Sequence, residues 1–450
     1  MEPEHFRFGG GATETLLHPL VALWMLIAAV LIVTLPRNKA IMPLLLSFFT
    51  VPIGQVVLVG SLHFTVLRIL ILVGLARRAF FRGSSSTGVF PGGFNTIDRL
   101  VIIWSLSMAI VFSLEWMEIQ AFIARLGDLV DMLGGYLLVR FLIPDREAVR
   151  RTIKVLAVIC AIQGVCMINE QISHVNVFGL LGGIPAGVTY RNGNIRSQGV
   201  LGNINAGVFG GVLIPMFLWL WMKGKSRLIA GVGIAGATAM VLTCDSSTGS
   251  MAYGGGLLAL GFWPLRKRMR LVRWAVALTL VALHLVMKAP VWALIARVDL
   301  TGSSTGYHRY MLLDHCIRHF SDWWFLGYKN YNEWGTLMFD MCNQYVYVAV
   351  MGGLVSLVLY IAILSQGFGA IGTARKLVAG DRGREWFLWC LGSTLFAHLV
   401  AGFGISYLAQ LEMALFAVLA CICVAASEAR KATVRNLQTQ DEVQLAVAIV

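Results

Sequence analysis

Apolar runs near membrane-crossing length follow one another from residue 17 to residue 426, separated by short polar breaks. A hydrocarbon core of about 30 Å needs roughly 20 apolar residues in helix. By that measure the pattern predicts spans near 17–35, 41–60, 61–76, 97–117, 122–143, 152–172, 200–222, 228–244, 251–265, 271–288, 343–366, 386–404 and 408–426. Pro43, Pro52 and Gly54 interrupt the second and third, and the ninth is short, so the count is twelve or thirteen. The predicted fold class is all-α, a polytopic integral membrane protein. Helices with short loops occupy 1–288, with an external segment at 173–199. A large loop (289–342) with short helices follows, then more helices (343–426) and a polar tail (427–450).

The polar breaks are not alike. Arg37 and Lys39, Arg77, Arg78 and Arg82, the group from Arg140 to Lys154, Lys223 to Arg227, Arg266 to Arg273, Arg375 to Arg384, and Arg430 to Arg435 all fall in alternate connections. With Arg99 they make up 26 of the 36 Lys and Arg, which assigns that side and the C-terminus to the cytoplasm. The long connections 173–199, 245–250 and 289–342, and the N-terminus, then lie outside. The first 16 residues lack the basic start of a cleavable signal peptide, so the first span is expected to be a retained anchor. Composition agrees: 58% hydrophobic, 13% charged, mean hydropathy +0.75. Such a chain has too much apolar surface for a soluble enzyme. The net charge of +13 becomes an orientation signal and gives no reason to expect a nucleic-acid partner.

Candidate chemistry is sparse within the spans. Arg125, Asp128 and Asp131 share a helix face, with Arg68, Glu115, Glu118 and Glu170 elsewhere. They read as an ion or proton path, or as structural pairs, with pairs favoured. Gly-rich stretches occur (GGVLIP, YGGG, GGL) but not in matching halves, as an inverted-repeat transporter would require. No paired CxxC marks a metal site, and Cys316 and Cys342 could form a bridge in an oxidising compartment. SSTG at 85–88, 246–249 and 303–306 reads as helix ends.

The external connections carry more. Arg191 and Arg196 precede the seventh span. Arg309 sits with His308, Asp314, His315, Arg318 and His319 in a stretch whose Tyr310, Leu313, Ile317 and Phe320 have helical spacing. That helix is expected to begin after Ser303, Ser304 or Thr305, with Arg309 and Asp314 or His315 on its polar face. Trp323, Trp324 and Trp334 follow and could anchor the membrane interface or stack on sugars. Arginines beside a membrane suit a diphosphate, which they bind bidentately. Their alternative partners are lipid headgroups or Asp299, Asp322 and Asp340.

In order, these features resemble the bacterial O-antigen ligase and polymerase superfamily, polytopic glycosyltransferases of the inner membrane. The carriers are RSQGVLGNIN (Arg196, Gly199, Asn203, Asn205), DSSTGSMAYGGG, STGYHRYMLLDHCIRHFSDWWFLGYKN (Arg309, Gly327) and CNQYVYVAVMGGL (Asn343, Tyr345, Gly352, Gly353). The resemblance covers roughly 190–365 by motif. It departs at two places: the family's acceptor-activating histidine is Cys342 here, and Thr248 and Gly249 stand where an arginine is common. A base would then come from Cys342 as thiolate or from His308, His315, His319, Asp314 or Asp340. The resemblance implies a glycan donor on undecaprenyl pyrophosphate and an acceptor that is another lipid-linked unit, lipid A core or a protein hydroxyl. Transfer proceeds without metal, nucleotide or other cofactor. Arg196 and Arg309 would bind the diphosphate, seconded by Arg191 and Arg318. Asn203, Asn205, Trp323, Trp324, Cys342, Asn343 and Tyr345 would line the substrate site. Loss of the histidine favours polymerase over ligase. A transporter or flippase is the rival class.

Overall fold

The computed structural model describes residues 14–60, 62–80, 90–222, 224, 226–297, 305–335, 338–407 and 409–449. Arg82, Lys223, Lys225, Asp299, Ser303, Ser304 and the SSTG at 85–88 lie outside these residues. The chain is predominantly helical, and among the described residues six helices are long and apolar enough to cross a membrane. These are α4 (Thr96–Trp116), α7 (Arg146–Ser173), α8 (Asn203–Met222), α11 (Met269–Val286), α14 (Gln344–Leu377) and the part of α16 (Ala409–Ile449) up to Arg435. The apolar helices α1 (Pro19–Thr34), α2 (Ile41–Thr50) and α9 (Arg227–Thr243) are shorter. Between them come α3 (Val66–Phe80), α5 (Ile119–Leu129), α6 (Gly135–Leu142), α10 (Ser247–Gly261), the short α13 (Phe320–Trp323) and α15 (Arg382–Ala401).

Two expectations are corrected. The span predicted at 41–60 stops at Thr50, because Pro52 and Gly54 end the helix. An antiparallel hairpin, β1 (Val56–Val59) and β2 (Leu62–Thr65), follows it and takes up the start of the span expected at 61–76. The span at 122–143 is not one regular helix: a π-helical turn, Val130–Gly134, separates α5 from α6.

The glycine-rich stretches serve close packing. α9 packs on α7 where Gly236 meets the Cys160 carbonyl and Gly164 meets Gly236. A Cβ at Gly236 would lie 2.3 Å from that oxygen. Gly207 and Gly211 of α8 meet Gly249 of α10 in the same way. Small residues at such crossings let backbones approach, the usual means of holding helices together where lipid replaces water. Most of the apolar windows of α8 and α16 is buried. None of the apolar window of α11 is buried.

Long helices connect two chemically distinct ends. α7, 28 residues and so about 42 Å long, begins at Arg146, whose amide donates to Glu428, and carries in its last turn Glu170, whose carboxylate receives the amides of Gln198 and Gly199. The basic end is tied by Arg266–Glu385 (3.3 Å), by Arg37 Nε to the Phe141 carbonyl and by the buried Arg140–Asp98 pair (3.1 Å), to which Tyr136 adds a 2.6 Å hydrogen bond. The loops expected outside gather at the opposite end.

α14 is broken at Gly353 (φ 70°, ψ −178°). The loop fills the gap with its own backbone: Tyr328 N donates to Val350 O (2.8 Å) and Leu354 N donates to Trp324 O (2.9 Å). Backbone groups freed inside a span must find such partners. Gly327 (φ 75°) and Gly353 are both required, since a Cβ on either would strike the other segment's carbonyl.

Candidate functional site

The site is built where four segments of the loop end meet. The hairpin β3 (Thr189–Arg191) and β4 (Asn194–Arg196) leads into α8. Gln171 fastens its end to α7 and α9, donating to the carbonyls of Ile195 (3.0 Å) and Thr243 (2.9 Å). This holds Arg196 against the start of α10, where its Nε donates to the Cys244 carbonyl (3.3 Å). Across the same helix start, Arg309 donates from Nη2 to Thr248 Oγ1 (2.8 Å) and approaches Met251 Sδ. Thr248 in turn donates to the Gly404 carbonyl (3.1 Å), tying the arginine to the end of α15.

Arg309 comes from α12 (Thr305–Arg318), which begins at the expected position. Its buried face is not the expected one. Arg309, Leu312 and Cys316 are buried, while Ile317 and Phe320 are 44% and 45% exposed. Arg309 is turned into the protein because Thr248 meets it there.

The arginines act on one another and on Cys342. Burial, and then the charge of Arg191, lower the proton affinity of Arg196, while Cys244, Asp245 and Cys342 oppose this. Arg309 and Arg191 favour the Cys342 thiolate, but burial and the Asp340 carboxylate outweigh them and raise the thiol pKa. Cys342 Sγ donates to Asp340 Oδ1 at 2.9 Å. Burial and the neighbouring Asp340 carboxylate thus both oppose a thiolate at Cys342. Cys316 and Cys342 are separate free thiols. Polar atoms remain open around these groups. Arg196 Nη2, Asn205 Oδ1, His308 Nδ1 and Asn343 Nδ2 are buried and have no hydrogen-bond partner among the described residues. A buried polar atom without a partner calls for an explanation, and an absent ligand is one.

Other candidates are placed elsewhere or engaged. Asp314 receives Trp292 Nε1 (3.1 Å) and pairs with Arg318 (2.7 Å), whose side chain is 69% exposed. His315 stacks on His319, which stacks on Trp334 and pairs with Asp322 (3.1 Å). Burial, followed by His319, lowers the pKa of His315. Trp323 is buried with its indole on the Cys316 carbonyl (2.7 Å), so it belongs to the loop's own core, whereas Trp324 is exposed. Tyr345 hydroxyl donates to Leu399 O (2.9 Å) and its ring packs on Phe403. Asn343 caps α14, accepting the amides of Tyr345 and Val346, and Asn203 reaches Thr189 Oγ1 at 3.3 Å.

Thr248 was not foreseen as a site residue. Its signal was the SSTG string at a helix start, opposite a cationic loop. That start adds its own field, since the first amides of a helix carry partial positive charge and favour anions. The site can thus hold a multiply charged anion between Arg196, Arg309 and the α10 N-terminus. No protein-family model matches the chain, and no curated protein matches it either.

Proposed function

We propose that the chain is a membrane glycosyltransferase acting at the external face. It would move a glycan from undecaprenyl pyrophosphate to an acceptor hydroxyl and polymerise O-antigen or exopolysaccharide repeat units. The observation that carries this reading is the meeting of Arg196 and Arg309 at the α10 start, drawn from two separate loops, with Arg191 near enough to act on Arg196. The alternation of basic connections supports an external position for those loops.

In this reading the arginines bind the diphosphate and take up the charge that develops on it as the glycosidic bond breaks. Electrostatic stabilisation of this kind is usually the largest single term in catalysis. The acceptor oxygen attacks the anomeric carbon as the diphosphate leaves. His308 and Asp340 are the titratable groups nearest Cys342, and they orient the acceptor. Substitution of the family's histidine by Cys342 supports a polymerase over a ligase.

The test is purified protein in lipid supplied with a lipid-linked oligosaccharide. Longer lipid-linked chains together with free undecaprenyl pyrophosphate are expected. Transfer only to lipid A core would move the assignment to a ligase. Absence of product with either acceptor, native lipids present, would overturn the reading.

A further inference from the structure

The residues that replace the expected histidine form a ligand set of their own. One ring nitrogen of His308, a carboxylate oxygen of Asp340 and Cys342 Sγ lie within 4.8 Å of one another. They come from two segments, the first turn of α12 and the stretch before α14, so the fold brings them together. His308 Nε2 donates to the Asp340 carbonyl at 2.8 Å. A carbonyl can only accept, so the lone pair of the neutral ring is on Nδ1, the atom that is buried with no hydrogen-bond partner among the described residues. A ring N–H held by a backbone carbonyl, with the other nitrogen open, is the arrangement that orients metal-binding histidines.

We propose that His308, Asp340 and Cys342 bind a single Zn²⁺ ion through imidazole nitrogen, carboxylate oxygen and thiolate sulfur. The chemistry of the donors selects the metal. Thiolate and imidazole are common zinc ligands and poor ones for Mg²⁺ or Ca²⁺, which prefer oxygen. Three protein ligands leave a fourth position open, as in catalytic rather than structural zinc sites. The two anionic ligands balance the ion's charge, so the site stays neutral beside the arginines. Binding displaces the proton that Cys342 Sγ now donates to Asp340 and releases it to solvent, leaving the thiolate on the metal. A Lewis acid there would offer its open position to a hydroxyl or phosphate oxygen next to the arginine site. The inference does not depend on the transferase reading, because the cluster would bind metal whatever reaction the chain performs.

The test is cobalt substitution of the full-length protein in detergent, after removal of bound metal. One equivalent of Co²⁺ is expected to give a thiolate-to-cobalt charge-transfer band that one equivalent of Zn²⁺ abolishes. Cys342→Ser should lose the band and Cys316→Ser should keep it. His308→Gln and Asp340→Asn should each weaken Co²⁺ binding by at least about tenfold, the lower end of what loss of even a supporting group costs a metal site. These two leave the thiol in place, so they report on the cluster even if Cys342→Ser does not fold. No band in folded wild-type protein, a band that survives Cys342→Ser, or a Cys316–Cys342 disulfide would overturn the proposal. The readout is spectroscopic, so its failure is distinct from failure to transfer a glycan.

Discussion

Two groups of charged side chains in this protein use arginine in opposite ways. In the region expected as the fifth span, Arg68 makes a two-point contact with Asp131 (3.1 and 2.6 Å), and Arg125 pairs with Asp128 (2.8 Å) while lying 3.6 Å over the Phe112 ring. Each arginine there has a carboxylate. At the loop end, Arg196 meets a carbonyl and Arg309 a hydroxyl and a thioether, and Arg196 has no ion pair among the described residues. The first group is complete as it stands and supports the packing of α3 against the π-helical turn. A charge set matched within the fold is structure, whereas the set in which Arg196 meets only a carbonyl among the described residues is the one proposed above to bind an anion.

The largest expected effect breaks the comparison on its functional side. Arg309→Ala and Arg196→Ala should each lower transfer by about 100-fold or more, the scale of losing one charge-stabilising donor, with little change in the amount of folded protein. Asp131→Ala should do the reverse. It leaves Arg68 in a largely buried position without its partner, which costs about 3 kcal/mol. The thermal midpoint in detergent should fall while activity per folded molecule holds. Adding Arg68→Met should restore much of the stability.

Next comes the break in α14. Gly353→Ala imposes a left-handed backbone on a residue with a Cβ and pushes that atom toward the Phe325 carbonyl, 2.7 Å away. Loss of about 1–3 kcal/mol is expected. It should show as faster proteolysis of the loop at 324–328, because this junction holds the loop to the helix.

Thr248→Val keeps the shape of the site but removes the hydroxyl that receives Arg309. Transfer should fall about fivefold, equivalent to roughly 1 kcal/mol for one hydrogen bond, and Thr248→Ser should recover it.

The smallest effect concerns pH. The folded protein lowers the pKa of His315 below its ordinary 6.5. Between that folded value and 6.5 the unfolded chain binds more protons, so stability declines as pH falls through this window. His315→Gln should flatten that part of the thermal midpoint profile and leave it unchanged above pH 7.

The helical, apolar character of the fold was legible because apolar length is a coarse signal that survives local irregularity. The helix starting at Thr305 was readable from its cap and periodicity, but its buried face was not. Apolar spacing pointed to Ile317 and Phe320, whereas the structure buries Arg309. The deciding partner, Thr248, lies 61 positions away in sequence, and no local pattern encodes that contact. The hairpin after Thr50 was hidden for a similar reason, since β-branched residues in a short apolar run suit a strand as well as a helix. For the site, residue type alone could not separate Arg318 from Arg309. Both are loop arginines on one helix, and only the fold sends one to Asp314 and the other to the α10 start.

The account rests on the arginine site holding a lipid diphosphate. The most direct measurement is binding of undecaprenyl pyrophosphate to the purified protein by native mass spectrometry, comparing wild type with Arg196→Ala, Arg309→Ala and the Arg68→Met/Asp131→Ala double variant. The account predicts retention by wild type and by the double variant, and at least tenfold weaker binding by either loop variant, about 1.4 kcal/mol. Equal binding by all four, or no binding by wild type, would contradict it.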